Sequence, residues 1–522
     1  MSTAAKRQFS FADLEMIHQR VKLDPLLQTI SDFLDDNATM IDAIQRDLRR
    51  SVKNPNKGRN GLTPQQVLRS LILKRVKNWD ERELRERIAD GYTLRQFTDF
   101  YSQPVPTHHA FNRAFNRVTP QTLKAVNDLV VELAVDEGLE DGSKLRSDTT
   151  VVQTNIHYPT DNTLIWDAVR VVTRSVRRLG EAIGRRVEGF HNRTRAARRR
   201  MQEIQRMTST ARKSQQTEKY QALIGIAEEV MSSARAVLKR TKNVRGKTVA
   251  AALAIAAYRE EIEHYCGLGD RVIDQARRRV LKGEQVPNAE KIYSIFEPHT
   301  DLIKRGKVRT PVEFGHKVFL AESANGLITQ YEVLDGNPND HHQVEPSLER
   351  HKETFGRAPE VYGADRGFFN EENVGTSTKD GVTLVCIPQC GGQKTAEREA
   401  YEKSRAFKQG QRFRAGIEGR ISVLFRGRGM KRCLAKGPER FELWVGAAVL
   451  ANNLMKIAEL KNKRTRGKRK PADASGRKAS GKHNKQTIDT AKTIKSASHG
   501  RKALRGGRCR PSSPADDTNL LL

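Results

Sequence analysis

An α/β protein, a mixed sheet with helices packed on it, is the fold class that the sequence predicts. Three observations predict it. Beyond residue 140, short β-branched stretches with period-two patterning alternate with helical ones. A long helical segment, about 164–306, interrupts them after the first strand. Residues 1–140 read as helical throughout, and residues 461–522 hold almost no large apolar side chains.

The elements follow in order. In LTPQQVLRSLILKRV, Thr63 is placed to cap a helix and Pro64 to fill its first position, with Leu68, Leu71, Ile72 and Val76 on one face. ERELRERIADGYTLRQFTDF and PTHHAFNRAFNRV continue the helical region, the latter with Phe111, Phe115 and Val118 at helical spacing. Short helices with Arg and Asn outward fit a helix-turn-helix-like DNA-binding region, and equally an ordinary bundle. SKLRSDTTVVQTNI is the first strand. VVTRSVRRLGEAIGRRV and YQALIGIAEEVMSSARAVL then carry apolar stripes of a helical hairpin or bundle. Its outer faces are basic, since residues 170–250 hold 21 Lys/Arg against 6 Asp/Glu. VEFGHKVFLAE and LITQYEVLDG, joined by SANG, read as an antiparallel hairpin. SLERHKETFG is a helix, the run at 360–364 a strand and GVTLVCIPQ another. RFRAGIEGRISVLF is a helix with Ile417, Ile421 and Leu424 inward, and RFELWVGAAVLANNLMKIAEL a final apolar one. Residues 461–522, with 18 Lys/Arg and 4 Asp/Glu, are expected to form a disordered basic tail.

Bulk properties narrow the function classes. The chain of 522 residues carries 94 Lys+Arg against 62 Asp+Glu, a net charge of +32. Such an excess suits a polyanion, because cations on phosphates release condensed counterions. No apolar run is long enough to span a membrane, and MSTAAKRQFS leads into charged sequence rather than a secretory signal. Five scattered cysteines (266, 386, 390, 433 and 509) argue against a disulfide framework. Cys386 and Cys390 form a C-x3-C without a partner pair nearby, which favours buried thiols over zinc. A soluble, reduced, cytoplasmic protein that binds nucleic acid is expected, with no membrane partner.

Three acids fall at informative places on this framework. Asp148 lies in the first strand, Asp365 ends the strand of VYGADRGFFNEEN, and Glu418 lies on the helix after the last strand. Converging at one end of a sheet, they could hold hard divalent cations, whose positive charge offsets the repulsion among clustered carboxylates. Each has a plain structural alternative. Asp148 could bond its own backbone, Asp365 could cap the helix beginning in FNEEN, and Glu418 could be a surface acid.

SDTTVVQTNIHYPTDN, EFGHKVFLAE, YGADRGFFNEEN and FRAGIEGRISVLFRGRGMKRC occur in this order. Together they make the chain, over about residues 60–455, similar to bacterial insertion-sequence transposases of the DDE type, most closely the ISNCY-like group. The resemblance implies an RNase H-like catalytic domain, residues 141–163 and 307–460, interrupted by a helical insert at 164–306. It implies Asp148, Asp365 and Glu418 as the catalytic, metal-binding acids. Many related enzymes carry a Tyr, Arg, Glu, Lys signature around the last acid. Arg414 stands where that pattern asks, but Gln411 occupies the Tyr position and Phe425 the Lys position. Arg426, Arg428 or Lys431 could supply the phosphate contact, and Lys317 and Arg366 are further candidates.

The implied chemistry needs two Mg2+ ions, with Mn2+ able to substitute, and no covalent protein–DNA intermediate. Tyr158 and Tyr362 lack the Arg/His setting of a nucleophilic recombinase. The expected partners are terminal inverted repeats and target DNA, met by a homodimer or higher oligomer in association with the nucleoid. A nuclease of the same fold and a silent DNA-binding derivative are the rival readings.

Overall fold

The computed structural model describes residues 9–19, 21–50, 52, 54, 61–207, 213–304 and 312–468. It opens with helices α1 (Phe11–His18), α2 (Pro25–Asp36), α3 (Thr39–Arg49), α4 (Pro64–Lys77), α5 (Glu81–Asp90), α6 (Tyr92–Phe97), α7 (His108–Phe115) and α8 (Pro120–Asp136). Thr63 and Gln66 cap α4 reciprocally, with Pro64 in its first turn. The single buried face expected for α4 needs correcting: every side chain from Gln66 to Val76 is buried, because α3, α5 and α7 pack around it. Its cations are matched inside the fold. Arg69 pairs with Asp35 at 2.6 Å, Lys74 pairs with Glu81, and Arg75 stacks on the Trp444 ring at 3.6 Å.

The mixed sheet is formed by β1 (Lys144–Gln153), β2 (Asp301–Lys304), β3 (Val312–Ser323), β4 (Ile328–Leu334), β5 (Val361–Gly363) and β6 (Leu384–Cys386). Antiparallel pairs join β4 to β3 and β3 to β1, and parallel pairs join β1 to β5 and β5 to β6. The predicted hairpin is β3–β4. β2 pairs with the first residues of β3, at the edge that β4 also occupies. That strand lies inside the segment expected to be helical; four residues are too few to display a period of two.

Between β1 and β2 run α9 (Asp161–Ile183), α10 (Thr194–Arg206), α11 (Lys213–Thr241) and α12 (Val249–Ala276), the last continued by a π-helical turn. They enclose a separate hydrophobic core that includes Leu164, Val172, Leu223, Val230, Ile262 and Val272. The insert begins and ends at one place, where the buried hydroxyls of Thr154 and Thr300 are 2.9 Å apart.

The remaining helices cover the sheet. α13 (Val344–Phe355) and α14 (Glu371–Lys379) share a core with Leu145, Phe319 and Tyr362. After α15 (Ala396–Lys403), α16 (Arg405–Gly427) and α17 (Pro438–Lys468) contribute to a core with Val152, Val318 and Leu320. Alternation along β1 and β3 thus serves two faces. α17 also buries Leu443, Leu450, Leu454 and Ile457 in the core of the N-terminal helices, so it joins that region to the sheet. It runs to Lys468, which corrects the expected start of the tail at 461. Lys461 reaches Glu137 at 2.8 Å, and Arg464 donates to the Glu137 carbonyl. From residue 469 the expected tail lies outside the described residues. Of the C-x3-C pair expected to be buried thiols, Cys386 is buried but Cys390 is exposed; Cys266 and Cys433 are also buried. Among the described residues no helix is long and apolar enough to cross a membrane.

A buried charge network fixes the seat of α16 on the sheet. Glu322 on β3 is fully buried and takes Arg146 of β1 at 2.7 Å and Arg420 of α16 at 2.9 Å. Arg146 also donates to the Phe413 carbonyl of α16. Close contact is secured by glycine: a Cβ on Gly410 would overlap the Cys386 sulfur of β6. Replacing Glu322 by Ala leaves two arginines without their shared partner. It should lower stability by about 3 kcal/mol, seen as a lower urea midpoint at unchanged slope.

Candidate active site

The parallel register of β1 and β5 pairs Arg146 with Gly363. Asp148 and Asp365 each lie two residues further on, so the pleat directs both toward α16. α16 adds Arg414 and Glu418, one turn apart. Gly363 admits the helix closely, since a Cβ there would stand 3.2 Å from the Cβ of Arg414.

The Arg414 guanidinium stands between the three acids. It reaches Asp148 at 3.0 Å, Glu418 at 3.2 Å and Asp365 at 3.7 Å. Its Nε is buried without a partner, leaving the terminal nitrogens to bind the carboxylates. Asp148 also accepts from the N–H of Thr149 at 2.8 Å. Asp365 accepts from the N–H of Gly367 at 2.8 Å and so caps the short turn Arg366–Phe368. The helix that begins at Glu371 is capped by Asn370 instead. Asp365 therefore caps a turn and faces the cavity at once.

These residues line a cavity of about 860 Å³. Two further acids line it, Glu313 of β3 and Asp340, and the sequence reading named neither. Asp340 follows β4 in the loop GNPND, where no periodicity marks a facing position. It accepts from the hydroxyl of Thr149 at 2.9 Å and pairs with Lys317 at 2.8 Å. Lys317, read from sequence as a phosphate contact or an exposed strand lysine, is mostly buried and is held by Asp340 and the Pro338 carbonyl.

The other candidate contacts divide. Arg428 donates to the carbonyls of Val76 and Gly427, tying the end of α16 to α4. Arg426 bonds Ser422 on the exposed side of α16. Arg366 is exposed in the turn after Asp365, and Lys431 is exposed on the cavity wall. Gln411 donates to the carbonyls of Ala364 and Cys386, holding β5 and β6 together at their ends. Phe425 lines the cavity.

Burial, with the carboxylates of Asp365 and Asp340 nearby, pushes Asp148 up to about 6 even though Arg414 opposes the shift. The site's donor set, carboxylate oxygens throughout, fits a hard divalent cation in kind. As the side chains stand, no three His, Cys, Asp or Glu residues among those described are grouped to hold an ion. Arg414 occupies the middle.

Comparison with known proteins adds one finding. Residues 15–117 match the family model described as transposase domain (DUF772). The match supports a transposase family. It covers the N-terminal helices α2–α7 and ends before the sheet. No curated protein and no solved structure matches the chain.

The raised Asp148 has a measurable consequence. Because the folded state holds this proton more tightly, stability falls as pH rises from about 4 to about 6 and stays lowered above that. In chelator, Asp148→Asn should remove that fall and stabilise the protein at pH 7.5 by on the order of 2 kcal/mol. Below about pH 4 it should change little. Urea unfolding of both proteins across this range checks it.

Proposed function

We propose that the chain is a DDE transposase of the ISNCY-like group, with an RNase H-like catalytic domain. It cuts DNA at the ends of an insertion sequence and transfers the freed strands into target DNA. The observation that carries this reading is the approach of Asp148, Asp365 and Glu418, remote in sequence, to a single guanidinium in one cavity. The transposase-domain match and the sheet, antiparallel on one side of β1 and parallel on the other, support it.

Asp148, Asp365 and Glu418 would hold two Mg2+ ions, or Mn2+ in their place. Bound there, the ions supply activation of the attacking oxygen and stabilisation of charge at the phosphate. The protein's own groups do the rest. The β1–β5 register fixes the spacing of the two aspartates, and the buried Glu322 network fixes the height of α16 above them. Lys431, exposed on the cavity wall, attracts the scissile strand. Lys317 restrains Asp340 and limits repulsion against Asp148. The N-terminal helices recognise the terminal inverted repeats. The basic insert and tail hold backbone phosphate without reading sequence. Two ends must be joined in one event, which calls for at least a dimer working on the DNA of the nucleoid in the cytoplasm.

The test is cleavage and strand transfer by purified protein, with Mg2+, on duplexes carrying the DNA that borders the gene. Asp365→Asn and Glu418→Gln should each lower cleavage by more than the roughly 10–100-fold typical of losing an outer-shell partner of a metal. Cleavage at parental rate by either variant overturns the assignment; cleavage without joined product would make the protein a nuclease. A chain ending at Lys468 should still cut DNA, but its binding should weaken less steeply with salt.

A further inference from the structure

The active-site cavity shares part of its wall, Phe425 and Lys431, with a second cavity of about 660 Å³. This second cavity lies between the N-terminal helices and the connection from α16 to α17. Asn112 of α7 and Asn116, just past its end, line one side. Lys431, Arg432, Lys436 and Arg440 line the other. All four cations are exposed, and among the described residues none of Lys431, Lys436 and Arg440 has a carboxylate partner. Arg432 is turned to the carbonyl of Ile156, which anchors the connection to the end of β1.

The floor is built rather than open. Arg75 is buried there, donating to the Trp444 carbonyl at 2.8 Å, and Trp444 donates to the Gly429 carbonyl at 3.1 Å. The acids in the lining lie on one side, at the start of α5: Glu81 is taken by Lys74, Asp80 caps the helix and Glu83 pairs with Arg87 at 3.6 Å. Leu434 is 60% exposed amid the cations. An apolar side chain in such a place suits the sugar and base edges of a nucleic acid better than bulk water.

We propose that this cleft carries the duplex DNA leading away from the reacting phosphodiester. Lys436 and Arg440 hold its backbone phosphates, and Leu434 packs against the sugar–base surface. The inference rests on the transposase reading and extends it by giving the DNA a path from the acids to the N-terminal helices. A cation pair left unmatched next to a wall shared with the catalytic cavity is a phosphate-binding feature, since two neutralised phosphates release counterions whether or not bases are read.

The test uses the full chain and a labelled duplex carrying the DNA that borders the gene. The double variant Lys436→Gln/Arg440→Gln should flatten the log–log dependence of binding on salt by about 2, from roughly 0.9 per phosphate contact. The control Lys379→Gln/Lys403→Gln removes two exposed cations from α14 and α15 that line neither cavity, and should leave the slope nearly unchanged. In parallel, benzoyl-phenylalanine placed at Leu434 should crosslink the duplex on illumination. An unchanged slope in the double variant, an equal flattening in the control, or no crosslink overturns the path. Normal cleavage alongside any of these results removes the path and leaves the transposase reading intact. Absent cleavage with the slope change and crosslink present does the reverse.

Discussion

Carboxylates gathered in one cavity repel one another, and the folded chain opposes that repulsion with two cations placed from different elements. Arg414 comes from α16 and touches three acids; Lys317 comes from β3 and holds Asp340. Arg414 could not do so without the seat of α16 on the sheet. Glu322, buried between Arg146 and Arg420, sets that seat, and Gly363 and Gly410 allow the approach. Burial still pushes Asp148 up to about 6, against the pull of Arg414. The Arg414 guanidinium occupies the centre of the site and is shared among its carboxylates.

Much of the fold was legible because its elements are periodic. The β-branched run of β1 and the hairpin β3–β4 carry enough residues to show their period, and α17 stands out as a long apolar run. β2, with four residues, does not. At the site, the three acids could be named from strand ends, a helix and motif order. Their meeting depends on the β1–β5 register, which no local pattern encodes. Asp340 was invisible because it sits in a Pro/Asn loop, where position is set by tertiary contacts with Thr149 and Lys317. Charge alone is also a poor guide to which cations are free to meet phosphate: Lys317 and Arg428 are both occupied by protein partners.

The N-terminal helices that match a transposase domain do not close their core alone. α17, from the far end of the folded chain, supplies one wall of it and simultaneously covers the sheet. Arg75 and Arg428 reinforce the junction through the carbonyls of Trp444 and Val76. Any force on the N-terminal region is therefore passed to α17 and, through its packing, to the sheet carrying the acids.

The insert stands in a different mechanical relation to the rest. The polypeptide leaves β1 and returns to β2 through Thr154 and Thr300, whose hydroxyls touch, and the intervening helices bury their own apolar surface. The sheet consequently registers only a closed gate, not the length of chain behind it, and the entropic penalty of enlarging such an excursion grows only logarithmically. Lineages could trade this cassette for a longer, shorter or unrelated one while the acids kept their spacing.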